Sequence, residues 1–257
     1  MVWTKAVKNF IYAIIPPAFW LGVWQLAAML VDSRLNGKGN ELLLPYPATV
    51  WKALLRLIGE HTFFLNVCSS LGRIMLGLVL GAAAGAALAG LTCASRWADR
   101  LLSPAIRVLR ASPVASFILL VVLWTGKHFV PVVIAALMVI PVVWGNLSRG
   151  IRETDAQLLE MARAYRFSKW KTVRLIYLPC LRPYFAAAIT TATGLAWKSG
   201  VAAEVLCLPN SAIGTQIFNT KYYLEIPDLF AWTAVVVALS LLLEKLLRIL
   251  LGQKGVE

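Results

Sequence analysis

Residues 63–94 read FFLNVCSSLGRIMLGLVLGAAAGAALAGLTCA, an apolar run in which Arg73 is the one charged side chain. A bilayer core of roughly 30 Å takes about 20 apolar residues of helix, so this stretch is long enough to cross it. Gly77, Gly81, Gly85 and Ala89 recur at every fourth position. Such a stripe of small residues lets a second helix approach the backbone closely. The spacing therefore predicts a membrane-spanning helix with a packing face.

Working outward, the same pattern gives five more spans, at about 10–31, 101–124, 130–147, 184–206 and 229–250. Pro16 and Pro17 lie in the first, Pro113 in the second, and Pro131 and Pro141 in the third of these. Proline is tolerated in such helices where neighbours satisfy the freed carbonyls, so kinks near a central cavity are expected. Lys5 and Lys8 precede the first run in the manner of a signal peptide, but the run is long and has no A-x-A cleavage pattern. It reads as a retained span. Residues 47–58 place Val50, Leu54, Leu57 and Ile58 at helical spacing and Lys52 and Arg56 on another face, as in a short helix lying along the interface.

Composition agrees. Of 257 residues 60% are hydrophobic and the mean hydropathy is +0.74, whereas soluble domains sit at about 45–50% apolar with glycine counted. The expected fold class is an all-α polytopic membrane protein of six transmembrane helices. It divides into residues 1–62, a first span with an interfacial helix on the periplasmic side, and residues 63–257, a core of five spans.

The basic excess, 25 Lys and Arg against 12 Asp and Glu for a net charge of +13, has a topological reading that needs no nucleic acid. With a cytoplasmic N-terminus, 17 of the 25 fall inside and 6 outside, while Arg73 and Lys198 remain within spans. Cys68, Cys93, Cys180 and Cys207 are scattered without a C-x-x-C pair, and His61 and His128 sit near predicted membrane edges, so no metal site is indicated.

Eight of the inside charges fall between Arg149 and Arg182. Thr154 followed by Gln157 makes a capping box, so a short amphipathic helix is expected to begin near Asp155. Ser168 can cap a second helix running to about Tyr177, before Pro179 interrupts the chain. Within this stretch Glu160, Met161 and Ala162, then three residues, Arg166, then nine residues, Ile176, Tyr177, Leu178 and Pro179 resemble the EAA motif of bacterial ABC importer permeases. The flanks at Leu44-Pro45-Tyr46-Pro47, Ser69-Ser70-Leu71-Gly72-Arg73, Ser112-Pro113, Trp124-Thr125-Gly126 and Ala202-Ala203-Glu204 are similar to the nitrate/sulfonate/taurine branch of that family.

The resemblance implies a type I importer permease fold, working as a homodimer in the bacterial inner membrane with both termini cytoplasmic. It implies that Glu160, Met161, Ala162, Arg166, Ile176, Leu178 and Pro179, in a coupling loop at about 149–182, engage a cytoplasmic ATPase dimer. An external binding protein would deliver a small, anionic solute such as a sulfonate, taurine or nitrate. Related permeases for a thiamine precursor or a flavin-like nutrient are the alternative cargo. Met161 stands where the motif has alanine, and Arg166 where it has glycine. At that position a left-handed helix end would cost other residues roughly 1–2 kcal/mol.

No G-x-x-x-x-G-K-[ST] loop occurs, so the chain is expected to bind no cofactor and not to be an enzyme, with ATP and Mg used by the partner ATPase. A self-sufficient secondary transporter would call for internal repeats or a relay of carboxylates, and neither is found. Arg73, Lys198 and Glu204 are the ionisable groups deep in spans and, with Trp197, the candidates for the translocation pathway. Lys198 and Glu204 are six residues apart, roughly 240° around a helix, so one of them is more apt to pair with Arg73 than with the other. Two uses stand open: a structural ion pair between helices, or contact with passing substrate. Trp124 and Trp144 are further candidates for lining the path, and Trp124 fits an interfacial anchor equally well.

Overall fold

The computed structural model describes residues 2–34 and 42–251, with side chains described from Ile15 onward. The connector at 35–41, the side chains of Lys5 and Lys8, and Lys254 lie outside the described residues. Among the described residues all regular structure is helical: α1 (Val2–Arg34), α2 (Pro47–Ile58), α3 (His61–Ala94), α4 (Arg96–Ala111), α5 (Val114–Trp124), α6 (Val130–Arg152), α7 (Ala156–Ala164), α8 (Lys169–Thr172), a π-helical turn (Val173–Tyr177), α9 (Leu178–Cys207), α10 (Ile213–Tyr222) and α11 (Ile226–Leu250). The chain forms two compact units, Met1–Leu65 with Gln216–Val236, and Asn66–Thr215 with Val237–Glu257.

In the first unit, Tyr46 is the N-cap of α2 and Pro47 its first residue, where a missing N–H costs nothing. The α2 face turned inward is Val50, Ala53 and Leu57; Ile58, expected on it, is exposed. Rings hold the rest of this unit together, with Trp24 stacked on Phe230 at 5.8 Å and Phe63 on Trp232 at 5.2 Å. Arg56 donates to Asp228 in an ion pair.

The second unit is built on the stripe of small residues. A Cβ added to Gly77 would stand 2.5 Å from the Val132 carbonyl oxygen, one on Gly81 2.6 Å from that of Ala136, and one on Gly85 2.9 Å from that of Ile140. Three glycines of α3 thus lie against three carbonyls of α6, each set spaced by four residues. Gly200 of α9 meets the side chain of Ile74 in the same way, at 2.6 Å. Ile118 and Val121 of α5, Val130 and Ile134 of α6, and Ala203 of α9 form a buried cluster.

Four segments among the described residues are long and apolar enough to cross a membrane by themselves: Ile15–Arg34, α3, α6 and α11. The expected span at 101–124 is instead two helices, α4 and α5, bent by 110°. Pro113 has no N–H to continue the ladder and pushes Ser112 into extended backbone (φ −82°, ψ 143°), so the helix stops there rather than kinking. α4 carries Arg96, Arg100, Arg107 and Arg110 and is strongly amphipathic, which suits an interface, not a bilayer core. α9 falls short of lipid-grade apolarity because it holds Lys198, Glu204 and several Thr and Gly, yet its 30 residues extend about 45 Å at about 1.5 Å per residue. Ala188, Ala192, Ala196, Trp197, Ala203 and Glu204 on it are buried, and the side of a helix that packs on protein has less need of apolar side chains. Six spans are consistent with this arrangement when the bent α4–α5 pair is counted as one broken span and α9 as another.

Candidate functional site

The segment from Arg149 to Arg182 contains the short helix expected near Asp155, but its cap differs. Asp155 Oδ1 accepts from Gln157 N at 2.8 Å, while Thr154 Oγ1 donates to the Gly150 carbonyl at 3.0 Å and closes the end of α6. The Thr154–Gln157 capping box is therefore not formed. Aspartate at an N-cap also adds a negative charge at the positive end of the helix.

The other end of α7 keeps the geometry that glycine usually supplies. Arg166 has φ +50°; its N–H donates to the Arg163 carbonyl at 3.0 Å, and Phe167 N–H donates to the Ala162 carbonyl at 2.8 Å. That pair of bonds is a Schellman closure, here made with an arginine in the left-handed region. Lys171 Nζ lies 4.3 Å from the centre of the Phe167 ring just beyond the turn. Ala162 and Ile176 are buried at 3% and 4% exposure, whereas Glu160, Met161, Leu178 and Pro179 face outward.

Ser168 caps α8, accepting from Lys171 N at 3.3 Å. Pro179 does not interrupt the chain as expected. The ladder shifts to a π turn at Val173–Tyr177, in which Leu178 N–H reaches the Val173 carbonyl, and α9 begins with Pro179 in its first turn. A π turn moves the bonding register by one residue, so the donor that Pro179 lacks is absorbed at a junction and not in mid-helix. Just past α6, Glu153 accepts from Tyr184 Oη at 2.7 Å and from Arg149 Nε at 2.8 Å. The tyrosine hydrogen bond, then the arginine, holds its carboxyl below the usual range.

The intramembrane ionisable groups separate into two kinds. Glu204 is completely buried, and its Oε1 accepts from Arg73 Nη2 at 3.1 Å and Nε at 3.3 Å. Its Oε2 accepts from Ser70 Oγ at 2.7 Å and from Gly214 N–H at 3.2 Å, in the first turn of α10. Ser70 Oγ in turn accepts from Ile213 N–H at 2.9 Å. Arg73 continues to the backbone carbonyls of Ser211 at 2.7 Å and Asn210 at 3.4 Å. Leu208 and Ser211 in this loop both have positive φ. A Cβ on Gly214 would stand 2.4 Å from that of Glu204. One carboxylate thus ties α3, α9 and the start of α10 together, with no room at Gly214 for any side chain.

Trp197 is buried at 1% exposure, while Lys198 beside it is exposed and makes no ion pair among the described residues. The structure brings Arg73 and Glu204 together and leaves Lys198 apart from both. Ser70, Gly214 and the loop at 208–212 were not anticipated as parts of this network. Ser70 precedes Arg73 by three residues, which puts the two on one helix face, and that spacing was the available signal.

Residues 77–252 match the family model described as "Binding-protein-dependent transport system inner membrane component". A putative aliphatic sulfonates transport permease of Bacillus subtilis is 28% identical over 91% of this chain and 83% of its own length. Its counterpart in Escherichia coli is 31% identical over 85% of this chain and 82% of its own length. A nitrate import permease of Synechococcus elongatus is 27% identical over 79% and 75% respectively. The fold is similar to a chain in the crystal structure of a bacterial ABC transporter involved in the import of the acidic polysaccharide alginate, with a TM-score of 0.65, 16% identity and 98% of both chains covered. Together with the paired helices and the capped segment before α9, the matches show that this chain belongs to the binding-protein-dependent transport system inner membrane components.

Proposed function

We propose that the chain pairs with a second copy of itself to form the translocation pathway of an ATP-driven importer for a small anion of the sulfonate, taurine or nitrate class. The observation that carries this reading is the outward face of α7. It is capped at both ends, anchored by Ala162, and presents Glu160 with Met161 at 42% and Tyr165 at 74% exposure. A short rigid helix with an apolar and aromatic outer face is suited to docking on a partner. In this reading the partner is a cytoplasmic ATPase dimer, which binds ATP and Mg and turns over while this chain does no chemistry. Ile176, Leu178 and Pro179 pass the movement of α7 into α9 through the π turn, and an external binding protein supplies the cargo.

The anionic cargo is supported by the named relatives, which are permeases for aliphatic sulfonates and nitrate. It is also supported by Lys198, an exposed ammonium beside the buried Trp197 on α9. Glu160→Lys is expected to abolish co-purification of the ATPase, or to uncouple hydrolysis from uptake, while insertion stays intact. In the same uptake assay, Lys198→Met should weaken transport of an anionic cargo without loss of the ATPase. Normal uptake by the Glu160 variant would sink the docking assignment.

A further inference from the structure

A second polar feature lies between α4 and the last two turns of α6, away from Lys198 and from the Glu204 network. Here an open cavity of about 310 Å³ is lined by three arginines, Arg107, Arg149 and Arg152, by Ser148, and by the carboxylates of Asp99 and Glu153. Two of the three cations have partners. Arg149 Nε donates to Glu153 at 2.8 Å, and Glu153 is further held by Tyr184. Arg152 Nη2 stands 3.8 Å from Asp99 Oδ1, too far for a hydrogen bond, and Asp99 instead accepts from the Ser103 hydroxyl. Arg107 has no acidic partner among the described residues.

The hydroxyl of Ser148 is the independent sign that the cavity is built for something. The residue is 6% exposed, and its Oγ is buried without a hydrogen-bond partner. Thr154 nearby bonds back to the Gly150 carbonyl, and Asn146 to that of Val142, the usual outlets for polar side chains on a helix. A buried hydroxyl left unpaired is destabilising, so a partner arriving in the cavity recovers that loss. An unpaired guanidinium, a second one loosely held, and an orphan hydroxyl share one complement, a compact group with several acceptor oxygens.

We propose that this cavity binds a phosphate, sulfate or sulfonate group, with Arg107 as the anchoring charge, Arg152 as second donor and the Ser148 hydroxyl as third. The volume admits such a group with a small substituent or the head of a lipid. The proposal concerns a site within one subunit and does not rest on the identity of the cargo. The group has two possible sources, a free anion in solution or the phosphate of an anionic phospholipid.

The test uses the full chain in nanodiscs of neutral phosphatidylcholine. Its thermal unfolding is followed with sodium sulfate against sodium chloride at matched ionic strength, and then in nanodiscs containing phosphatidylglycerol. A saturable gain with sulfate identifies a free anion as ligand; a gain with phosphatidylglycerol alone identifies the lipid. In either case Arg107→Gln should weaken the response by about tenfold or more, the loss of one charged hydrogen bond, and leave melting in chloride and neutral lipid unchanged. Ser148→Ala should weaken it several-fold, and Arg107→Lys should retain part of it, which guards against a misfolded glutamine variant. No response in either arm, or a response that survives both Arg107→Gln and Ser148→Ala, overturns the proposal.

Discussion

The Glu204 carboxylate is completely enclosed, and what makes that tolerable is the number of donors aimed at it. Arg73, the Ser70 hydroxyl and the Gly214 N–H all reach it. Removing one member of a buried pair leaves the other charge without compensation, which costs about 3–5 kcal/mol. Glu204→Gln keeps the shape and should lower stability by that order, with Arg73→Met on the same background recovering a measurable part. Thermal unfolding of the two single variants and the double variant checks it, and strictly additive losses would mean the pair is not coupled. Arg166 poses the opposite case, a residue in the left-handed region that L side chains avoid. Arg166→Gly should raise stability by about 1 kcal/mol, part of the roughly 1–2 kcal/mol that the conformation costs. A fall in melting temperature would show that the guanidinium makes a contact worth more than the strain. Arg166 could be flagged from its place in the motif, but which way the backbone goes there depends on the Phe167 and Arg166 bonds that close the turn.

At the scale of elements, the α3–α6 pair turns a sequence stripe into a measured approach. Alanine normally stabilises a helix relative to glycine by roughly 0.5–1 kcal/mol. Gly90 has nothing within 4 Å of an added Cβ, so Gly90→Ala should show that gain. Gly81→Ala would place its methyl 2.6 Å from the Ala136 carbonyl oxygen, on backbone that cannot swing aside. It should lose about 1–3 kcal/mol. Equal melting temperatures for the two variants would contradict the close packing. The same scale exposes what pattern reading misplaced. Hydropathy over 101–124 gives one span because it averages an amphipathic helix with an apolar one, and only the geometry at Ser112 and Pro113 separates them. At Pro179 the reverse holds: a residue that should break the chain is carried through by the π turn before it.

For the whole molecule, the distribution of basic residues predicts that Ser168 faces the cytoplasm and Ser211 the outside. A cysteine at Ser211 should react with an impermeant thiol reagent on intact cells, and one at Ser168 only after permeabilisation, in a background lacking the native cysteines. The reverse pattern would overturn the orientation. By itself the sequence determined that this is a helical membrane protein, roughly where most of its long helices lie, and which family it belongs to. Each of those rests on local signals, namely apolar length, charge bias and a spaced motif, that need no knowledge of what lies opposite. Tertiary structure alone decided the rest. That Arg73 meets Glu204, that Ser70 and Gly214 complete their set, that Trp197 is enclosed while Lys198 is not, and that the Ser148 hydroxyl is buried without a partner all depend on residues distant in the chain. Helical periodicity tells which residues share a face, but only packing tells what that face meets.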